Sequence, residues 1–152
     1  MYRGCLLLVF LFVFSASWAI AADGDAVGRI RTVSGDAHIL RGADKLAAKP
    51  EMRIVRGDTL LTGKQGSIGI VFIDNSTLAL GSNSIFKLAR YDFNVLEKKA
   101  GFVGQIRRGS LIYLSGLIAK MNADAVRFET PAAVAGVRGT RLAIKVEGDD
   151  NE

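Results

Sequence analysis

A chain of 152 residues has room for one domain and too little for two well-formed ones. Its 20 basic and 15 acidic residues leave a net charge of +5. With one histidine and one cysteine there is no ligand set for a zinc centre and no internal disulfide.

Residues 1–21 read as an export signal. Arg3 gives the positive start, Cys5 to Phe14 is an unbroken apolar run, and Ala19-Ile20-Ala21 fits a small-x-small cleavage site. The expected cut falls between Ala21 and Ala22. An uncleaved anchor is the alternative, since Gly4 to Ala22 carries no charge; only then does the chain meet a membrane. Cys5 lies inside the segment, so the exported chain has no thiol. A periplasmic or secreted location follows as an expectation, and nucleic acid is not an expected partner.

Sixteen of the 17 glycines follow the signal and punctuate short apolar runs, the rhythm of an all-β chain. Val27 to Val33 and Ala37 to Arg41 read as strands around a tight Ser34-Gly35-Asp36 turn. Gly42 to Pro50 reads as an exposed loop. Thr59 to Thr62 is a short strand between Gly57-Asp58 and Gly63.

The clearest hairpin lies in the middle. Ile68, Ile70 and Phe72 share one face, Leu78 and Leu80 share one face of the next strand, and Asp74-Asn75 suits the turn. Val71 and Ile73 are apolar too, which suggests cover on both faces. Ile85 to Phe93 is extended, and Asn94 to Gly101 reads as a surface loop. Phe102 to Arg107 and Leu111 to Leu114 read as a strand pair around Arg108-Gly109-Ser110. Gly116 to Asn122 is one helical turn or a bend.

Val126, Phe128 and Thr130 alternate with Arg127 and Glu129. Leu142, Ile144 and Val146 alternate with Arg141, Ala143 and Lys145. The expectation is one all-β domain over residues 22–146, of about ten to twelve short strands, built as a rolled sheet, a sandwich or a short β-solenoid. An acidic tail follows at 147–152, where four acids stand in six positions. The body before it is strongly basic, which suits an anionic partner or plain solubility.

Enzyme chemistry finds no constellation. Gly63-Lys64 resembles a phosphate loop, but five residues separate Gly57 from Gly63 and Gln65 follows the lysine. His38 lacks a serine in a nucleophile elbow and lacks zinc co-ligands. Asp58 and Asp74 sit at turns, where aspartate bonds backbone N–H groups. No cofactor is called for.

The candidate site is the segment between the last two alternating strands: Thr130, Pro131, Gly136, Arg138, Gly139 and Thr140. Pro131 belongs at a strand end or edge. The glycines open backbone conformations closed to other residues. Arg138 is suited to hold a carboxylate, either in a neighbouring turn or on a partner.

These pieces together resemble the FecR domain family. The resemblance runs from about Gly28 to Val146. It is carried by Val33-Ser34-Gly35-Asp36-Ala37, Gly57-Asp58-Thr59-Leu60-Leu61-Thr62-Gly63, Val71 through Gly81, Gly109-Ser110-Leu111, and Phe128 through Thr140. It implies a non-enzymatic module that binds a protein or envelope partner, possible signalling included. Regulators of this family resemble a cytoplasmic anti-sigma segment, a membrane helix and this domain in series. Here an export segment stands first, so the expectation is a stand-alone exported module without the anti-sigma segment. An envelope carbohydrate-binding or structural protein is the alternative.

Overall fold

The computed structural model describes residues 25–148. The export segment and residues 149–152 of the acidic tail lie outside the described residues. The chain forms twelve strands: β1 Gly28–Ser34, β2 Ala37–Arg41, β3 Asp44–Ala47, β4 Arg53–Ile54, β5 Thr59–Thr62, β6 Ser67–Phe72, β7 Thr77–Leu80, β8 Ile85–Asn94, β9 Lys99–Leu114, β10 Val126–Glu129, β11 Val134–Gly136 and β12 Arg141–Val146. One helical turn, α1 Leu117–Met121, and a 3-10 turn at Ala123–Ala125 interrupt them. The all-β expectation holds.

The strands form one strongly curled sheet that packs against itself in two layers. The first layer runs β4-β1-β6-β7-β9-β12. The second runs β3-β2-β5-β8-β9-β10-β11. All neighbours are antiparallel except β9 and β10. A solenoid stacks parallel strands, so the roll is the reading that stands.

Strand β9 belongs to both layers. Its first half pairs with β8 and β10, and its second half with β7 and β12. The sequence reading split it in two at Gly109. Gly109 does take a positive φ of 94°, but within a continuous strand. Beside it the β8–β9 register slips, leaving Arg107 as an extra residue. The slip changes which residues face inward: Phe102 and Ile106 before it, Leu111 and Tyr113 after it. One strand thereby lines the core from both layers.

The same device recurs twice. Arg31 is the extra residue in β1, and Ala89 in β8. In β8 the buried set passes from Phe86 and Leu88 to Tyr91.

Four other expectations need correction. β1 and β2 do not pair with each other; they enter different layers through a corner at Gly35, whose φ is 63°. The expected loop at Gly42 to Pro50 contains β3, which pairs with β2. The expected loop from Asn94 ends in β9, so only Val95–Lys98 is turn. The outer face of β6 is only partly covered: Gly69 and Val71 are half-buried, and Ile73, just beyond the strand, is 54% exposed.

The core is aromatic where the layers meet. Phe72 of the first layer stacks on Tyr91 of the second at 5.4 Å, and Tyr113 meets Phe128 at 5.1 Å. Phe102 touches Phe72, Tyr91, Tyr113 and Phe128. Each such pair adds ~0.5–1.5 kcal/mol beyond burial.

Candidate functional site

The Thr130–Thr140 segment is a strap along one side of β9. It leaves the second layer at β10, turns back as β11, and crosses to β12 in the first layer. The turn is built by Thr130. Its backbone N donates to Ala133 O at 2.8 Å, and its Oγ1 accepts from Ala133 N at 2.9 Å and Ala132 N at 3.3 Å. Pro131 stands exposed at the tip, where no ladder donor is needed.

Val137 anchors the far end. It is 3% exposed and its N donates to Val126 O at 3.2 Å. Gly139 follows with φ 145°, a region that disfavours side chains. Ser115 ties this end to the first layer: its Oγ donates to Gly139 O at 2.7 Å and its N to Thr140 O at 2.9 Å.

One of the six residues differs from expectation. Gly136 lies in β11 without a positive φ, and a side-chain carbon there would meet nothing within 4 Å. Arg138 donates to Asp124 Oδ1 at 3.2 Å, and both side chains are largely exposed. An exposed pair of this kind holds little, ~0–1 kcal/mol, so Arg138 keeps its reach toward solvent.

The six do not converge on one point. Thr130 and Pro131 sit at one end of the β10–β11 ladder, while Arg138, Gly139 and Thr140 sit at the other. The segment offers a surface rather than a pocket with reacting groups.

The motif aspartates are committed internally. Asp58 is fully buried and takes a two-pronged bond from Arg41, Nε to Oδ1 and Nη2 to Oδ2, each 2.9 Å. Val55 N adds a third donor at 3.0 Å. Asp74 is also fully buried, with Ser76, Tyr91 and the start of α1 around it. The turn role expected of both is what the structure has. Their partners Arg41 and Tyr91 were not foreseen, because each lies 17 residues away.

Burial, with the Asp74 charge second, raises the Tyr91 pKa strongly. Burial pushes Tyr113 up to about 12. The Tyr113 hydroxyl lies near Ser76 and Gly116, which oppose that rise, but it makes no hydrogen bond of regular geometry.

His38 is half-buried on the outer side of β2, with Nδ1 3.3 Å from Asp36 Oδ1. Among the described residues no three His, Cys, Asp or Glu side chains gather as a metal site. Among them, too, no helix is long and apolar enough to cross a membrane.

A basic groove of 590 Å³ opens where the layers join. Lys64, Arg108 and Lys145 line it with Ser82, Asn83 and Ser110, and Glu147 stands at its side. Sequence reasoning missed it because its cations come from three distant stretches.

The scaffold is all-β, with Asp58 and Asp74 bonded internally and a strap along β9. The FecR protein family model matches residues 58–152, and the chain belongs to that family. The match covers β5 to β12 and the whole strap. The four strands before it, and with them the resemblance at Val33 to Ala37, lie outside it. A solved structure described as a cell surface anchoring domain is similar at 32% identity, over 41% of this chain and 83% of its own, with a TM-score of 0.40. No curated protein matches the chain.

Proposed function

We propose that this chain is an exported, non-enzymatic FecR module that binds a protein partner in the cell envelope and serves signalling there. The observation that carries the reading is the family match over residues 58–152. The family is a non-enzymatic regulatory one. The buried aspartates support it, since both are bonded internally and neither faces a cleft. The periplasmic or secreted location rests on the export pattern of residues 1–21.

Photocrosslinkers placed at Arg138 and at Lys145, both exposed, test the partner in living cells. Recurrent capture of one protein supports the reading, and absence of any specific product under several growth conditions counts against it. Mass spectrometry of the exported chain tests the leader: an N-terminus at Ala22 is expected, and an intact Met1 excludes cleavage.

One feature favours the alternative of acidic polysaccharide binding. The groove lined by Lys64, Arg108 and Lys145 has hydroxyl and amide groups beside its cations. Retention on an acidic polysaccharide at low salt, lost at high salt, is its signature. No retention at low salt removes it.

A further inference from the structure

We propose that the outer face of the first layer docks an acidic protein segment through one projecting apolar side chain. The proposal rests on the partner-binding reading and gives it a place and a chemistry. The register lays out the surface. One row crosses six strands as Arg53, Arg29, Val71, Thr77, Leu114 and Arg141. The next runs Thr32, Gly69, Ala79, Ile112 and Ala143. The centre of both rows is apolar or small, and the first row ends in arginines, Arg53 and Arg29 on one side and Arg141 on the other.

The centre is a hollow of 170 Å³ lined chiefly by Gly69, Val71, Ala79, Ile112 and Leu114. Ile112 is 39% exposed and Leu114 44%. A cavity of about 150 Å³ takes a benzene ring, so this hollow has room for one large side chain. Arg29, Arg31 and Arg53 stand on one flank against Glu51, which pairs with Arg29 at 3.4 Å. Arg141 and Lys145 stand on the other against Glu147, which pairs with Lys145 at 3.1 Å. Among the described residues Arg31 and Arg141 make no ion pair.

Charge and shape select the occupant. A second copy would bring arginines against arginines, which repel. A bilayer is entered by apolar side chains that stand proud, whereas here the apolar centre is recessed between cations. A sugar acid would satisfy the arginines and leave Ile112 and Leu114 without an apolar partner. A polypeptide with acidic ends and one apolar side chain between them meets both demands.

The test is titration of the ¹⁵N-labelled full chain with a short peptide carrying Asp and Glu at both ends and a single Phe between. The controls are the same peptide with Lys ends, and phosphatidylglycerol vesicles. Expected are amide shifts centred on Val71, Ala79, Ile112 and Ala143. Binding should weaken by at least about tenfold in Ile112→Asp and in Arg31→Glu/Arg141→Glu, with otherwise unchanged spectra. Shifts centred on Lys64 and Arg108, unchanged binding by Ile112→Asp, or binding to vesicles but not to the peptide would each overturn it. A crosslinker at Ala79, run beside one at Arg138, separates this proposal from its premise. Capture from Arg138 alone keeps the binding function and overturns this face; no capture from either overturns both.

Discussion

Tyr91 Oη donates to Asp74 Oδ1 at 2.9 Å, tying the middle of β8 to the turn of the β6–β7 hairpin. Ser76 gives the same oxygen an N–H and an O–H, and Ile118 N reaches Oδ2 at 3.2 Å. A charge with no exposure is tolerated only when it is held this way.

Asp74→Ala should therefore cost about 3–5 kcal/mol, because it strips the partner from several buried donors at once. Tyr91→Phe should cost about 1–3 kcal/mol, leaving the carboxylate one bond short. Urea unfolding of the two variants checks the order. A larger loss in Tyr91→Phe would contradict it.

The glycines separate by what stands beside them. A side-chain carbon at Gly116 would lie 2.3 Å from Asp74 O and 2.4 Å from Ser76 N. Gly116→Ala should destabilise by about 1–3 kcal/mol, since backbone must move. Gly136→Ala enters open space in β11 and should be neutral or stabilising by up to about 1 kcal/mol. Melting temperatures of the pair read the contrast.

Alkali should unfold the protein through its buried tyrosines. Tyr113 is raised to about 12 and Tyr91 is raised as well, so the folded state holds both neutral while the unfolded chain ionises near 10. Their contribution is intact below pH 10 and falls above it, by ~1.4 kcal/mol per pH unit for each tyrosine until its folded pKa is reached. Tyr113→Phe removes a hydroxyl that makes no regular hydrogen bond. It should leave neutral stability within about 1 kcal/mol and flatten the decline above pH 10. Denaturant midpoints at pH 7 and pH 11 test both halves.

Two arginines that look alike in sequence should behave oppositely. Arg41→Met removes both prongs from the buried Asp58 and should cost about 2–3 kcal/mol. Arg138→Ala breaks only an exposed pair and should change stability by ~0–1 kcal/mol. Loss of partner capture in Arg138→Ala would then report on recognition and not on folding. Chemical denaturation separates the two.

The fold class was legible because turn residues and alternating runs are local signals. Gly35, Asp74-Asn75 and the Thr130-Pro131 turn each mark a chain reversal or corner that exists. What failed was everything decided by a neighbour distant in sequence. Asp44-Lys45-Leu46-Ala47 has no strand pattern of its own and is a strand because β2 offers it an edge. The bulges at Arg31, Ala89 and Arg107 change the inward-facing phase within a strand, so alternation reads as interrupted. At Gly109 that interruption resembled a hairpin turn. The candidate strap was legible as a motif, and its turn at Thr130 follows from residue type. The Asp124 partner of Arg138 and the open space at Gly136 depend on packing that no spacing encodes.

Strand β9 couples the two ends of this molecule mechanically. Because its 16 residues have hydrogen-bonded neighbours along nearly their whole length, neither layer can peel away without breaking the same strand. Its amides should exchange with deuterium at one common slow rate set by global opening, and the two layers should melt together. Force applied by a partner at β12 would then reach β10 directly through a shared backbone.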